Sequence, residues 1–215
     1  MPDPDITFQC ESFESLVQDK EWWALYEESF PPTERAPRAK ELEMAKAQNV
    51  RILCARENGK TVGLATIHLL ESFPCVFLMV LAVNPHERHH HIGTQLFEYG
   101  WTLGCEELNK KGLQPRGYVW EVEKPELAAN NVELKERETR ITFYKHLGAQ
   151  ILPCNYIMPP VDGTHTIPMH LLFRPAPGFS LPNEKDCNDL IRAMYFEKYE
   201  RVNHIDKDML LNLLK

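Results

Sequence analysis

Residues Val80 to Phe97 carry the most explicit chemistry in this chain of 215 residues: Val-Leu-Ala-Val-Asn-Pro-His-Glu-Arg-His-His-His-Ile-Gly-Thr-Gln-Leu-Phe. An apolar, β-branched run ends at Asn84-Pro85, a basic turn follows, and a helical pattern opens near Ile92-Gly93. The first turn of a helix presents backbone N–H groups without intrahelical partners, together with a partial positive charge. With Arg88, His89, His90 and His91 beside it, such a turn suits a pyrophosphate. Neither glycine-rich phosphate loop, G-x-G-x-x-G or G-x-x-x-x-G-K-[ST], occurs in the chain. Consecutive histidines rarely aim their side chains at one ion, and no further ligand set accompanies them. The run therefore reads as phosphate contact or solvated loop, and no metal is expected.

Two carboxylates share a second feature. Glu121 and Glu123 lie two residues apart in a run, Gly117–Val122, that reads as a strand, so they take one face while Trp120 and Val122 take the other. Glu34, at the start of a predicted helix, is a third carboxylate of interest, with favourable interaction with the helix dipole as its alternative role.

These residues need elements to hold them. Ile6–Cys10 reads as a first strand, and residues 14–30 as a helix with Leu16, Trp22, Trp23, Leu25 and Tyr26 on one face. Pro31-Pro32 stops that helix, and Thr33 is the expected cap of a second one running to about Asn49. Val50–Ala55 and Thr61–Leu70 are strands joined at Asn58-Gly59, a hairpin turn signal. Cys75–Val83 is almost continuously apolar, as expected at the centre of a sheet. Ile92, Leu96, Gly100 and Leu103 form one helical stripe, and Gly100 permits close approach to the sheet. Residues 126–147 form a long polar helix with an interruption near Asn130-Asn131. Ala149–Cys154 and Pro168–Phe173 read as closing strands, with loops marked by Pro153, Pro159-Pro160 and Asp162-Gly163. Trp22 and Trp23 are expected in the core, and His170 half-buried in its strand.

Strands thus occur both in runs and alternating with helices, which indicates a mixed α/β sheet. Pro175-Ala-Pro-Gly178 reads as a boundary, giving a domain over residues 1–175 and a helical extension over 176–215. Leu190, Met194, Met209, Leu210, Leu213 and Leu214 in that extension are too apolar to stay exposed. They dock on the domain's own sheet, build a homodimer, or grip a partner.

Composition narrows the class. A hydrophobic content of 43% and a charged content of 26% are those of a globular protein. No run approaches the roughly 20 apolar residues of a membrane helix, and the acidic, proline-rich start is unlike a secretory signal. The six cysteines are scattered without a C-x-x-C pair and read as buried reduced thiols, which points to the cytoplasm. A net charge of −7 argues against nucleic acid and is favourable for a cationic substrate such as an amine.

The order strand, V-x-P-x-x-R-x-x-x-I-G, helix, then Phe143-Tyr144-Lys145-His146-Leu147-Gly148-Ala149, resembles the GCN5-related N-acetyltransferase (GNAT) superfamily. Tyr26-Glu27-Glu28-Ser29-Phe30-Pro31 and Trp120-Glu121-Val122-Glu123 support the resemblance, which spans about residues 5–174. It implies a mixed, mostly antiparallel sheet of about six to seven strands flanked by helices, with acetyl coenzyme A as co-substrate. It further implies a pyrophosphate site at Arg88, His89, His90, His91, Ile92, Gly93 and Thr94, and pantetheine pairing along the strand at Leu81, Ala82 and Val83. Tyr144 matches the tyrosine that protonates the departing thiolate, its alternative role being core packing beside Phe143. Glu121 matches a base or amine-orienting residue, its alternative being a salt bridge with an arginine such as Arg140. Phe30, Glu123 and Tyr156 fall on the acceptor side. The implied activity is N-acetylation of a primary amine, small or peptidic. The alternative is a binding module that senses acyl coenzyme A with little turnover. One position departs from the family pattern: His91 stands where glycine is usual, and must either keep an ordinary backbone or accept strain.

Overall fold

The structure is a computed structural model that describes residues 6–30, 32, 35–161 and 165–215, residues 88–90 by their backbone alone. The expected stop at Pro31, the Thr33 cap, Glu34 and the Asp162-Gly163 loop lie outside the described residues.

Eight strands form one sheet: β1 (Ile6–Cys10), β2 (Val50–Glu57), β3 (Lys60–Leu70), β4 (Cys75–Val83), β5 (Gly117–Glu123), β6 (Gln150–Ile151), β7 (Tyr156–Met158) and β8 (Ile167–Pro175). Their order is β1-β2-β3-β4-β5-β8-β6, with β7 also on β8. Among the described residues only β4 and β5 run parallel; every other pair is antiparallel. The sheet is mixed and mostly antiparallel as expected, with one strand more than the sequence suggests. That strand, β7, is three residues long and too short to show a period.

Asn58 and Gly59 turn the β2–β3 hairpin with φ of 49° and 81°, the left-handed pair such turns require. The predicted helix over 14–30 is instead two, α1 (Phe13–Gln18) and α2 (Lys20–Ser29). Asp19 breaks it: its carboxylate accepts the Trp22 N–H at 2.8 Å, Arg56 at 2.7 Å and the Thr61 hydroxyl at 2.7 Å. Capping and two long-range partners together outweigh helical continuity. The second predicted helix is also shorter, α3 (Arg38–Met44), because Pro37 has no N–H and sits at its start. Downstream, α4 (Ile92–Lys110) and α5 (Asn131–His146) match the expected pattern, with Asn130 accepting the N–H groups of Val132 and Glu133 at 3.0 Å. The C-terminal region forms α6 (Glu184–Ala193), a wider π-helical turn over Met194–Glu200, and α7 (Lys207–Leu213).

Alternation along the strands divides the core into two layers. On one face, Val76, Leu78, Tyr118, Trp120 and Leu172 pack against Leu96 and Phe97 of α4 and Ile141 and Tyr144 of α5. Gly100 allows this: a Cβ there would sit 2.9 Å from the Tyr118 hydroxyl. The opposite face carries α1–α3 over β2 and β3, where Trp22 and Trp23 are core as expected. Beside them, Leu190, Met194, Tyr195, Tyr199 and Leu210 cover Phe77, Val119, Leu171 and Phe173. The C-terminal helices thus dock on their own sheet, while Met209 stays 40% exposed. All six cysteines are free thiols; Cys54, Cys75 and Cys187 are buried, Cys105 and Cys154 half-buried, and Cys10 is exposed. Among the described residues no helix is long and apolar enough to cross a membrane.

Candidate active site

The site is organised by the parting of β4 and β5. Their parallel pairing covers only Val76–Leu78 against Tyr118–Trp120. Just there, Ile67 pairs with Leu78 but Thr66 with Val80, so Met79 is an extra, bulged residue. A bulge bends and twists its strand. Beyond it, β4 keeps β3 as a neighbour, Ala65 opposite Leu81, Leu64 opposite Ala82 and Gly63 opposite Val83, and among the described residues no strand pairs with it on its β5 side. Leu81, Ala82 and Val83 therefore present one edge of extended backbone in the middle of the sheet. Peptide-like chains recognise such an edge by adding to it as a strand.

At the end of that edge the chain turns. Asn84 accepts the His86 N–H at 3.0 Å and opens a 3-10 turn over residues 85–90. His91 follows with φ 56° and ψ 19°, caps α4 without a side-chain hydrogen bond, and is exposed. The non-glycine residue at this position thus accepts the left-handed conformation, at a cost of about 1–2 kcal/mol. Ile92 behind it is 1% exposed and fixes the helix start in the core. Gly93 faces Val83 and Phe143: a Cβ there would meet them at 3.5 and 3.8 Å, ordinary contact distances. The first N–H groups of α4, those of Ile92, Gly93 and Thr94, open beside the turn that carries Arg88, His89 and His90.

Two titratable residues flank the parting on opposite faces. Tyr144, on α5, packs on Trp120 with ring centroids 4.8 Å apart and on Phe97 at 5.8 Å. Burial pushes its phenol up to about 12, so it keeps its proton at neutral pH. Glu121 is the β5 residue directly after the last pairing with β4, and points to the other face. Its Oε1 accepts the Tyr199 hydroxyl at 2.6 Å and also the Tyr156 hydroxyl. The arginine expected as its alternative partner goes elsewhere: Arg140 bonds Glu123, and Arg137 stands 3.4 Å from the same carboxylate. Glu123 is therefore paired with two guanidinium groups, whereas the hydrogen-bond partners of Glu121 among the described residues are two phenols.

The face around Glu121 contains titratable groups that sequence reasoning did not single out. Lys198, 5% exposed, lies on the Tyr199 ring, its Nζ 3.5 Å from the centroid. Burial pulls its ammonium down to about 8, against the charges of Glu121 and Glu41, which hold it up. Glu41, from α3, accepts the Tyr26 hydroxyl at 2.8 Å, and burial holds its carboxyl up at about 7. His68, 1% exposed, has no hydrogen-bond partner for either ring nitrogen among the described residues, and burial lowers it to about 3, so it is neutral. One signal for Lys198 was available: Leu190, Met194 and Lys198 are spaced by four, a charge on an otherwise apolar row. His68 had none beyond its place in an apolar strand.

The other sequence candidates spread around this centre. Tyr156 is a β7 residue 1% exposed, its phenol committed to Glu121. Phe30 ends α2, with its ring 5.5 Å from that of Tyr26. Beside it, Trp23, Tyr26, Glu27, Arg35 and Arg38 line a cavity of about 230 Å³. His170, half-buried as expected, stands 3.6 Å from Glu126 and away from Glu121.

Comparison with known proteins agrees with this fold. The profile of the acetyltransferase (GNAT) family matches residues 19–148. No curated protein matches the chain. Among solved structures, a protein described as a GNAT-family acetyltransferase from Bacteroides thetaiotaomicron is 21% identical with a TM-score of 0.67, covering 93% of this chain and 99% of its own. The ribosomal-protein-S18-alanine N-acetyltransferase of Escherichia coli is 20% identical with a TM-score of 0.52, over 83% of this chain and 97% of its own. PaiA N-acetyltransferase from Thermoplasma acidophilum, solved with coenzyme A, is 15% identical with a TM-score of 0.53, over 80% and 99%. The family profile spans more than half of the chain, from α2 to the turn after α5, and so takes in both the parted strands and the loop that follows them. The chain belongs to the GNAT acetyltransferase family, whose members transfer acyl groups from coenzyme A.

Proposed function

We propose that the protein transfers an acetyl group from acetyl coenzyme A to a primary amine by direct attack on the thioester. The observation that carries this reading is the parting of β4 and β5 with Tyr144 on one face and Glu121 on the other. In this reading the co-substrate's pyrophosphate takes the N–H groups of Ile92, Gly93 and Thr94 and the basic turn of Arg88, His89, His90 and His91. Its pantetheine lies along Leu81–Val83, whose backbone N–H groups hold the arm and polarise the thioester carbonyl. The acceptor amine enters from the face that bears Phe30, Tyr156 and Glu121.

The chemistry is a balanced exchange. The amine nitrogen attacks the carbonyl carbon, the C–N bond forms and the C–S bond breaks. An acceptor that arrives as an ammonium first releases its extra proton to solvent; Glu121 then takes the proton that the nitrogen loses on attack and passes it to solvent, and Tyr144 gives its own to the departing thiolate and is reprotonated from solvent. Tyr144 suits the second role because burial keeps it protonated. Glu121 suits the first better than Glu123, which already faces two guanidinium groups. The net charge of −7 favours cationic acceptors.

The test is thiol release from acetyl coenzyme A over a panel of small amines and peptides, with wild type and Tyr144→Phe. Amine-dependent release that falls about 10²-fold or more in the variant supports the assignment. Unchanged turnover in Tyr144→Phe removes Tyr144 from the mechanism. Coenzyme binding with no amine-dependent release favours the sensing module instead.

A further inference from the structure

We propose that Tyr199, supplied by the C-terminal helices, is a positioning residue for Glu121, so that these helices form part of the acceptor site. The inference rests on the reading of Glu121 as the group that takes the amine proton.

The contacts are specific. Tyr156 from β7 and Tyr199 from the π-helical turn both donate to the same oxygen, Oε1 of Glu121. Among the described residues none donates to Oε2, which leaves that oxygen for the acceptor. A glutamate on a strand has three side-chain torsions to settle, and two fixed donors on one oxygen settle them before the acceptor arrives. Both phenols are themselves fixed, at 1% and 0% exposure. Burial, then the Glu121 charge, raises each phenol's affinity for its proton, so each remains a donor at neutral pH.

The segment that brings Tyr199 is anchored for the purpose. Glu197 accepts the backbone N–H groups of Glu71 and Ser72 at 2.7 and 2.8 Å, tying the turn to the β3–β4 connection. Tyr195 donates to the Ile157 carbonyl at 2.6 Å, tying the same turn to β7 and hence to Tyr156. Widening of the helix to a π turn over Met194–Glu200 accompanies the burial of Tyr195, Glu197, Lys198 and Tyr199 together. Such widened turns concentrate at functional sites. The charged and titratable groups facing Glu121 are then Tyr156 from β7 and Tyr195, Lys198 and Tyr199 from the turn, with Glu41 of α3 behind Lys198. Leu171 stands opposite on β8 and brings no charge.

The experiment uses the full chain and measures amine-dependent thiol release as a function of pH. Tyr199→Phe keeps the ring and its packing and removes the donor. We expect kcat/KM to fall about 10-fold or more, and its acidic limb to move to higher pH, because a lost donor disfavours the charged carboxylate. Tyr156→Phe should move the limb the same way, which keeps the inference testable if the first variant folds poorly. Tyr195→Phe, whose phenol bonds only a carbonyl, should leave the limb in place. In a Glu121→Gln background, Tyr199→Phe should add no further loss. If Glu121→Gln is inactive while Tyr199→Phe and Tyr156→Phe keep the wild-type rate and limb, the positioning role is wrong and the base reading stands. If Glu121→Gln keeps wild-type activity, the base reading is wrong and the positioning role falls with it.

Discussion

Glu41→Gln should stabilise the protein near neutral pH and do progressively less as the solution is acidified. Glu41 is 6% exposed, and burial holds its carboxyl at about 7 against an ordinary 4.5, with the Tyr26 hydrogen bond and the Lys198 charge opposing. Between those values the folded chain keeps a proton that the unfolded chain has released. Stability therefore falls as pH rises through this window, and the full penalty is present only above pH 7. At about 1.4 kcal/mol per tenfold change in proton affinity, lifting the carboxyl from 4.5 to about 7 is worth about 3 kcal/mol. Roughly 2 kcal/mol of that develops between pH 5 and pH 7. Glutamine keeps an acceptor for Tyr26 and cannot ionise, so the penalty disappears. Thermal unfolding of wild type and variant at both pH values reads the effect. For a chain of this size the variant's advantage should grow by about 4–8 °C from pH 5 to pH 7. An offset between the two proteins that is the same at both pH values would refute the reasoning, because it would mean that Glu41 ionises as easily in the fold as outside it.

Two further substitutions test other parts of the structure. His91→Gly relieves a left-handed residue at φ 56° and should raise the unfolding midpoint by about 2–4 °C, corresponding to ~1 kcal/mol; a lowered midpoint contradicts the assigned backbone. Glu197→Ala strips the Glu71 and Ser72 N–H groups of a charged acceptor and should cost about 3 kcal/mol. Limited proteolysis should then cut the C-terminal helices faster, and an unchanged cleavage rate would show that the anchor is dispensable.

Much of the fold was legible because it rests on local patterns. The apolar run Cys75–Val83, the Asn58-Gly59 turn and the stripe from Ile92 to Leu103 each carry a period or a turn chemistry within a few residues. The break at Asp19 was not legible, since its cause is Arg56 and Thr61, some forty residues away. The site divides in the same way. The loop, Tyr144 and Glu121 could be placed from motif order and strand alternation. What surrounds Glu121 could not, because Tyr156, Glu41 and the adjacent pair Lys198 and Tyr199 come from three separate segments that meet only across the sheet face. Pairwise charge chemistry also needed the structure. Arg140 was the expected alternative partner of Glu121, and the geometry gives it to Glu123.

The most direct measurement is amine-dependent release of coenzyme A by wild type and Glu121→Gln at neutral pH, alongside binding of the coenzyme to both. The proposed transfer predicts release that depends on an amine and falls about 10²-fold or more in the variant, with coenzyme affinity unchanged. Equal rates in the two proteins, or tight coenzyme binding without any amine-dependent release, would contradict it.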